Sequence, residues 1–159
     1  MQDLETTNLA QHFEKVVKFI HAVTCSRHGT ETDDAAAAAA ADPTRQENAA
    51  RSQTVLVHCM YGASRSATCV CAYLMCCAPP SEQSSAGAAL AYCTRLRPTV
   101  KPNDAFLSQL KQFETSEELV SLREWCSKQP GAGAVLRDVA TALAAPVSTA
   151  IISDGRAKL

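Results

Sequence analysis

What the chain lacks narrows it first. It has no excess charge of either sign: 15 Lys and Arg against 16 Asp and Glu leave a net charge of -1, which argues against a nucleic-acid-binding surface or a polybasic membrane contact. It has no apolar run near the roughly 18 residues that suggest a membrane span. Its first residues, MQDLETTNLAQ, carry neither a basic nor an apolar leader region, and Met1-Gln2 lacks the glycine that myristoylation requires. The expectation is a soluble, reduced, cytoplasmic protein that meets small or phosphorylated partners, without nucleic acid or membrane. The sequence does not indicate an oligomeric state.

The eight cysteines lack pattern as well. There is no Cys-x2-Cys pair and no suitably spaced His, so neither zinc nor any other cofactor is expected. Cys69, Cys71, Cys76 and Cys77 read as small apolar filler in a buried helix. Cys25, Cys93 and Cys126 follow no spacing, and His12, His21 and His28 read as helix-face or loop residues. Strand signal is scarce too. Only Thr54 to His58 is short, β-branched and apolar, as in a strand buried on both faces.

What is present is mostly helical pattern. Leu9, Phe13, Val16, Val17, Ile20 and Val23 recur at helical spacing. Residues 26 to 53 change character: Asp33-Asp34, seven alanines at 35 to 41, then Asp42-Pro43, an insertion with no apolar face to bury. Ser66 to Cys77 is apolar all round and belongs inside the domain, ending before Pro79-Pro80. Ser81 or Ser84 can start a helix through Leu90, Tyr92 and Leu96. Asn103 can cap another carrying Phe106, Leu110 and Phe113, and Leu119, Leu122 and Trp125 either continue it or form a successor. The chain divides into a domain over 1–126 and a loosely ordered tail over 127–159, with one loose helix near 134 to 144.

The chemistry lies in VLVHCMYGASRS at 55 to 66. An apolar segment stops at His58-Cys59, and Arg65-Ser66 open a helix after five intervening residues. Cys59 at a helix N-terminus meets unsatisfied N–H groups and the positive end of the dipole, both of which favour the thiolate over the poorly nucleophilic thiol. The backbone N–H groups of Met60, Tyr61, Gly62, Ala63, Ser64 and Arg65, bent around one oxyanion, can hold a phosphate. Gly62 suits a positive φ in mid-loop. The planar guanidinium of Arg65 offers two parallel hydrogen bonds to phosphate oxygens. His58 can orient the loop, and the Ser66 hydroxyl can donate to the sulfur. Arg95, Arg97 and Lys101, near a Pro-bounded turn, read first as solvated surface, with contact to acids flanking a phosphosite as the alternative.

HCMYGASRS resembles the signature loop of the dual-specificity protein phosphatases, within the cysteine-based tyrosine phosphatases. DLETTNLAQHFEKVVKFIH at 3 to 21 is similar to the family's general-acid segment and following helix. RPTVKPNDAFLSQLKQFE at 97 to 114 is similar to its Pro-Asn-x-x-Phe-x-x-Gln-Leu helix. REW at 123 to 125 and LAAP at 143 to 146 resemble the tail of the small atypical JNK-stimulatory subgroup. The resemblance implies Cys59 as nucleophile, Arg65 as phosphate clamp, Ser66 as helper in thiophosphate hydrolysis, Asp3 as general acid, and His58 and Asn103 in support. It implies an α/β fold and metal-free hydrolysis of phosphotyrosine and phosphoserine or phosphothreonine in proteins.

The family carries several strands ahead of the general-acid segment, so the expectation for this sequence is an N-terminally truncated phosphatase domain. That domain would be mostly helical, with one phosphate-loop strand near 54–58. Two alternatives stay open. A non-catalytic phosphate-binding or interaction module would keep the loop without turnover. A phosphoinositide or RNA 5'-triphosphate phosphatase would favour added cations in the loop, where Met60, Tyr61 and Ala63 bring none.

Overall fold

The computed structural model describes residues 7–26, 54–78 and 84–144. Among these residues lie six helices: α1 (Phe13–Ser26), α2 (Arg65–Cys77), α3 (Ala86–Leu96), α4 (Asp104–Glu114), α5 (Glu117–Ser127) and α6 (Ala132–Ala144), with a 3-10 turn at Ala10–His12 leading into α1. Ser26, the first residue of the expected insertion at 26–53, ends α1; the rest of that insertion, the tail beyond Ala144 and Asp3 lie outside the described residues.

The axis of the domain is α2. Its sequence has no charged residue after Arg65, and every residue from Ser66 to Cys77 except Val70 is buried, as an all-round apolar helix requires. The other five helices all pack on it. Alanines and cysteines dominate its surface, and such short side chains bring neighbouring backbones close. A single substitution to a long polar residue on this helix would leave an unpartnered group in the core.

The apolar stripe of α1 is turned inward, with Leu9, Phe13, Val17 and Ile20 buried. Phe13 meets Phe113 of α4 edge-on, with ring centroids 5.0 Å apart, a geometry that suits the aromatic quadrupoles. One turn further, His21 is fully buried and its Nε2 lies 2.9 Å from the Cys126 carbonyl oxygen of α5. Burial lowers its pKa against the opposing effect of that hydrogen bond, so the ring is neutral at neutral pH and joins two helices without a buried charge.

Three helices start on side-chain caps. Ser85 accepts from Ala88 N at 3.1 Å, Asn103 from Phe106 N at 2.8 Å and Ser116 from Leu119 N at 3.2 Å; a cap of this kind contributes about 1 kcal/mol. Asn103 is the cap its position suggests. For α3 the start is Ser85, next to the expected Ser84, and its Oγ accepts from the third helical N–H; Ser81, the other expected start, lies outside the described residues. Thr115 and Ser116 break the run after Glu114, so α5 is a successor to α4 and not its continuation. Within the expected tail, α6 runs from Ala132 to Ala144 and lays Leu136, Val139 and Leu143 against the core. Arg95 donates to the Ala142 carbonyl near its end at 3.1 Å, satisfying a group the helix cannot pair.

The strand expected at 54–58 is not found: no strand occurs among the described residues, and the α/β class rests on no ladder there. A strand is defined by the partner that pairs its N–H and C=O groups, and no described segment supplies one. The expectation of burial on both faces is corrected as well. Val55, Val57 and Cys59 are half-buried, while Thr54, Leu56, His58 and Met60 are exposed, and Leu56 keeps 72% of its surface. That alternation has the period of two of an extended segment with helices on one side. Val55 and Val57 are the residues that pack on the core.

Candidate active site

The loop is built by the elements on either side of it. Val55 and Val57 tie the incoming segment to the core, and α2 fixes the outgoing end. At Ser64 the carbonyl accepts from both Thr68 N and Thr68 Oγ1, each at 2.9 Å, which holds the first turn of α2 under the loop. Gly62 has φ +65, a left-handed conformation that a side chain resists and glycine adopts freely. It turns the chain back over Cys59.

The result is a thiol surrounded by donors. The Ser66 Oγ lies 3.3 Å from Cys59 Sγ, and the backbone N–H groups of Ser66, Gly62 and Tyr61 also point to the sulfur. Partial burial pushes the Cys59 pKa up, but these hydrogen bonds together outweigh it and bring the value down from 9.0 to about 6. Hydrogen bonds to the anion stabilise it relative to the thiol. The contrast with the other seven cysteines is sharp: all are buried, and Cys59 alone is not. Burial pushes the Cys69 thiol up to about 11, and raises those of Cys25 and Cys76. Buried thiols of this kind are inert.

Arg65 is the first residue of α2 and half-buried. With Cys59 and Ser66 it borders a cleft of about 490 Å³, whose wall is otherwise formed mainly by apolar side chains of α1 and of Val55 to Val57. An apolar wall does not hold a dianion. The groups suited to that are the loop N–H groups, the guanidinium and the N-terminus of a 13-residue helix.

A third segment buttresses the loop. Lys101 N donates to Ala63 O at 2.9 Å, and Asn103 N approaches Ser64 Oγ at 3.4 Å. The guanidinium of Arg97 covers Gly62: a Cβ placed there would stand 2.9 Å from one terminal nitrogen and 3.1 Å from Cζ. Gly62 is required for its backbone angle, while the guanidinium over it is the far end of a long exposed side chain that can give way.

Of the residues singled out in the sequence, Cys59, Gly62, Ala63, Ser64, Arg65, Ser66 and Asn103 come together here. Met60 and Tyr61 are 76% and 75% exposed at the rim. His58 is exposed and makes no hydrogen bond among the described residues, so the loop is oriented by Thr68, Lys101 and Asn103 instead. Two residues were not assigned a role in supporting the loop from the sequence. Gln109 accepts from Leu9 N at 2.8 Å and Ala10 N at 3.0 Å, and donates to Thr7 O at 2.8 Å, pinning the segment that follows Asp3. Arg97 is the other. The quoted Pro-Asn-x-x-Phe-x-x-Gln-Leu pattern contained Gln109, but its partners lie about 100 positions away, beyond the reach of local spacing.

Comparison with known proteins agrees with this geometry. The model of the dual specificity phosphatase catalytic domain matches residues 45–116. The chain is 32% identical over 127 residues to dual specificity protein phosphatase 22-B of Danio rerio, an alignment covering 80% of this chain and 53% of that protein. It is 30% identical over 129 residues to human dual specificity protein phosphatase 22, covering 81% and 54%. It is 30% identical over 141 residues to the tyrosine-protein phosphatase yvh1 of Schizosaccharomyces pombe, covering 86% and 34%. The chain thus spans about half the length, or less, of these relatives. No solved structure matches it.

Proposed function

The chain belongs to the dual-specificity phosphatase family, and on that premise we propose that it hydrolyses phosphotyrosine and phosphoserine or phosphothreonine in proteins through a cysteinyl-phosphate intermediate. In this reading the Cys59 thiolate attacks phosphorus in line with the leaving oxygen. The S–P bond forms as the P–O bond breaks, and Asp3 gives its proton to the departing oxygen. Water then attacks phosphorus, Asp3 takes back a proton, and the S–P bond breaks to release phosphate and thiolate. Arg65 and the N–H groups of Met60 to Arg65 hold the equatorial oxygens, where charge gathers. Ser66 stabilises the departing sulfur by donating to it.

The observation that carries this reading is the single accessible thiol, drawn down to about 6 by a ring of donors while burial pushes the Cys69 thiol up to about 11. At neutral pH such a group is mostly thiolate, and successive loop N–H groups are suited to cradle an oxyanion. The test is turnover of a small aryl phosphate by the purified, folded chain, with Cys59→Ser as control. Cys59-dependent hydrolysis is expected; a folded sample without it defeats the proposal.

A free thiolate also fits a reducing compartment, which supports a cytoplasmic placement; among the described residues, no helix is long and apolar enough to cross a membrane. Imaging of the tagged chain tests that placement, and exclusion from the cytoplasm would contradict it. The same reading takes Thr54 to His58 as a strand of an α/β fold, supported by its alternating burial. Slow amide exchange at Leu56 and His58 is the measurement for it, and exchange at coil rates counts against it.

A further inference from the structure

We propose that His21, Cys77 and Cys126 form a binding site for a divalent thiophilic cation, Zn2+ by its chemistry, that ties α1, α2 and α5 together in the core. The site is separate from Cys59 and does not depend on the phosphatase reading.

Convergence is the first ground. Each of the three residues comes from a different helix, and all three are buried. One ligand atom from each lies within 4.8 Å of the others. His21 Nδ1 is 3.6 Å from Cys77 Sγ, and the Cys77 thiol shares a hydrogen bond with that of Cys126. A tetrahedral centre with bonds of about 2.0 Å to nitrogen and about 2.3 Å to sulfur sets such ligands roughly 3.6 Å apart. The ring and the Cys77 thiol already stand at that spacing. Ligands carried singly by three helices leave no Cys-x2-Cys signature, so the sequence spacing is silent about them.

The imidazole is the second ground. Its Nε2 lies 2.9 Å from the Cys126 carbonyl oxygen, a group that only accepts, so Nε2 carries the proton. Because the buried ring is neutral, Nδ1 keeps its lone pair on the side of the Cys77 sulfur. A hydrogen bond from the far ring nitrogen to a backbone carbonyl is how metal-bound histidines are oriented. The rings of Tyr73 and Trp125 flank it, with centroids 6.2 Å and 5.9 Å away. Cys25 Sγ approaches Nε2 at 3.3 Å, which puts it on the protonated side and outside the ligand set.

Charge is the third. Two thiols that release their protons to solvent supply two negative charges, and a divalent cation cancels both, so the core gains no net charge. A monovalent soft cation such as Cu+ would leave one thiolate uncompensated. Two sulfurs and an imidazole nitrogen are a donor set that Zn2+ takes, with a fourth position for water. A cleft of about 540 Å³ borders Cys76 and Cys77 beside Arg123 and Leu136, and it brings solvent to the edge of the site.

The test uses the full chain, purified with a phosphine reductant and stripped of metal by a chelator. Co2+ is the probe. One equivalent should produce thiolate-to-cobalt charge transfer and the visible bands of a tetrahedral ion, and should quench Trp125, the chain's one tryptophan. Zn2+ should displace it with a dissociation constant of about 1 μM or below and raise the urea midpoint, because it binds the folded chain. Cys77→Ala, Cys126→Ala and His21→Phe should each weaken Zn2+ binding by more than about 100-fold, beyond the loss of a supporting hydrogen bond. Cys76→Ala, beside Cys77, and Cys59→Ser should bind as the parent does. Circular dichroism identifies any variant that does not fold, and for those the parent's cobalt spectrum and Trp125 quenching decide.

A parent that binds neither ion at this affinity, a spectrum without thiolate bands, an unquenched Trp125, or binding that survives the three substitutions overturns the site. So does binding lost in Cys59→Ser, which would place the ion at the accessible thiol. Failure of the phosphatase reading is a separate result, because it is read from turnover and not from metal.

Discussion

Gln109 holds Leu9 across 100 positions of sequence, its Oε1 accepting from the Leu9 backbone N at 2.8 Å. The same side-chain amide takes Ala10 N and gives to Thr7 O, so one residue of α4 satisfies three backbone groups just ahead of α1. Asp3 stands four residues before Thr7. The clamp fixes the described chain from Thr7 to Ala10.

Gln109→Ala should therefore act twice. Loss of these hydrogen bonds is expected to cost about 1–3 kcal/mol in urea unfolding. Loss of the clamp should also lower kcat on phosphoserine peptides more than on an aryl phosphate, because a poor leaving group depends on the general acid and a good one does not. Equal losses on the two substrates would separate Gln109 from the acid step.

The pH dependence follows from the Cys59 thiol. Its pKa is depressed to about 6, so the reactive thiolate is present above that pH and is lost as pH falls through it. Alkylation by iodoacetamide should rise with a midpoint near 6 and be confined to Cys59. Ser66→Ala removes the hydroxyl at 3.3 Å and should move the midpoint up by about 1 unit. A midpoint at the ordinary thiol value in the folded chain would contradict the donor ring.

Gly62→Ala meets one main obstacle, a φ of +65, and displaces the end of the Arg97 side chain, which stands 2.9 Å from the new Cβ. A destabilisation of about 1–2 kcal/mol is expected from the backbone alone. Binding of vanadate, an oxyanion of phosphate shape, should weaken by at least tenfold as the loop shifts. Combining the change with Arg97→Ala should recover part of the steric cost and none of the backbone cost.

In the core, Phe106 is fully buried on α4, three residues after the Asn103 cap that borders the loop. Phe106→Ala should cost about 3–5 kcal/mol, a large fraction of the total stability of a domain. Denaturant melts followed by circular dichroism check it.

The loop was legible because phosphate chemistry demands particular residue types at fixed spacing, and Cys59, Gly62, Arg65 and Ser66 meet that demand within eight positions. The same holds for α2, whose lack of a polar face dictates burial, and for Asn103, whose cap is local. Longer reach was not legible. Arg97 covers Gly62 through a turn whose shape depends on Pro98 and Thr99, and spacing alone left it between solvated surface and a contact for acids flanking a phosphosite. The run at 54–58 has strand composition, but burial on one face or two is decided by neighbours, and Leu56 stands exposed. Ser85 caps α3 in place of Ser84 because the two are equivalent in chemistry and only geometry distinguishes them.

The most direct test of the central claim is a rapid acid quench of the chain during turnover of an aryl phosphate, followed by mass spectrometry of the peptide carrying Cys59. A phosphoryl adduct on Cys59 is predicted, absent from Cys59→Ser, with turnover lost in that variant. Hydrolysis that persists in Cys59→Ser would contradict a mechanism through the cysteinyl phosphate.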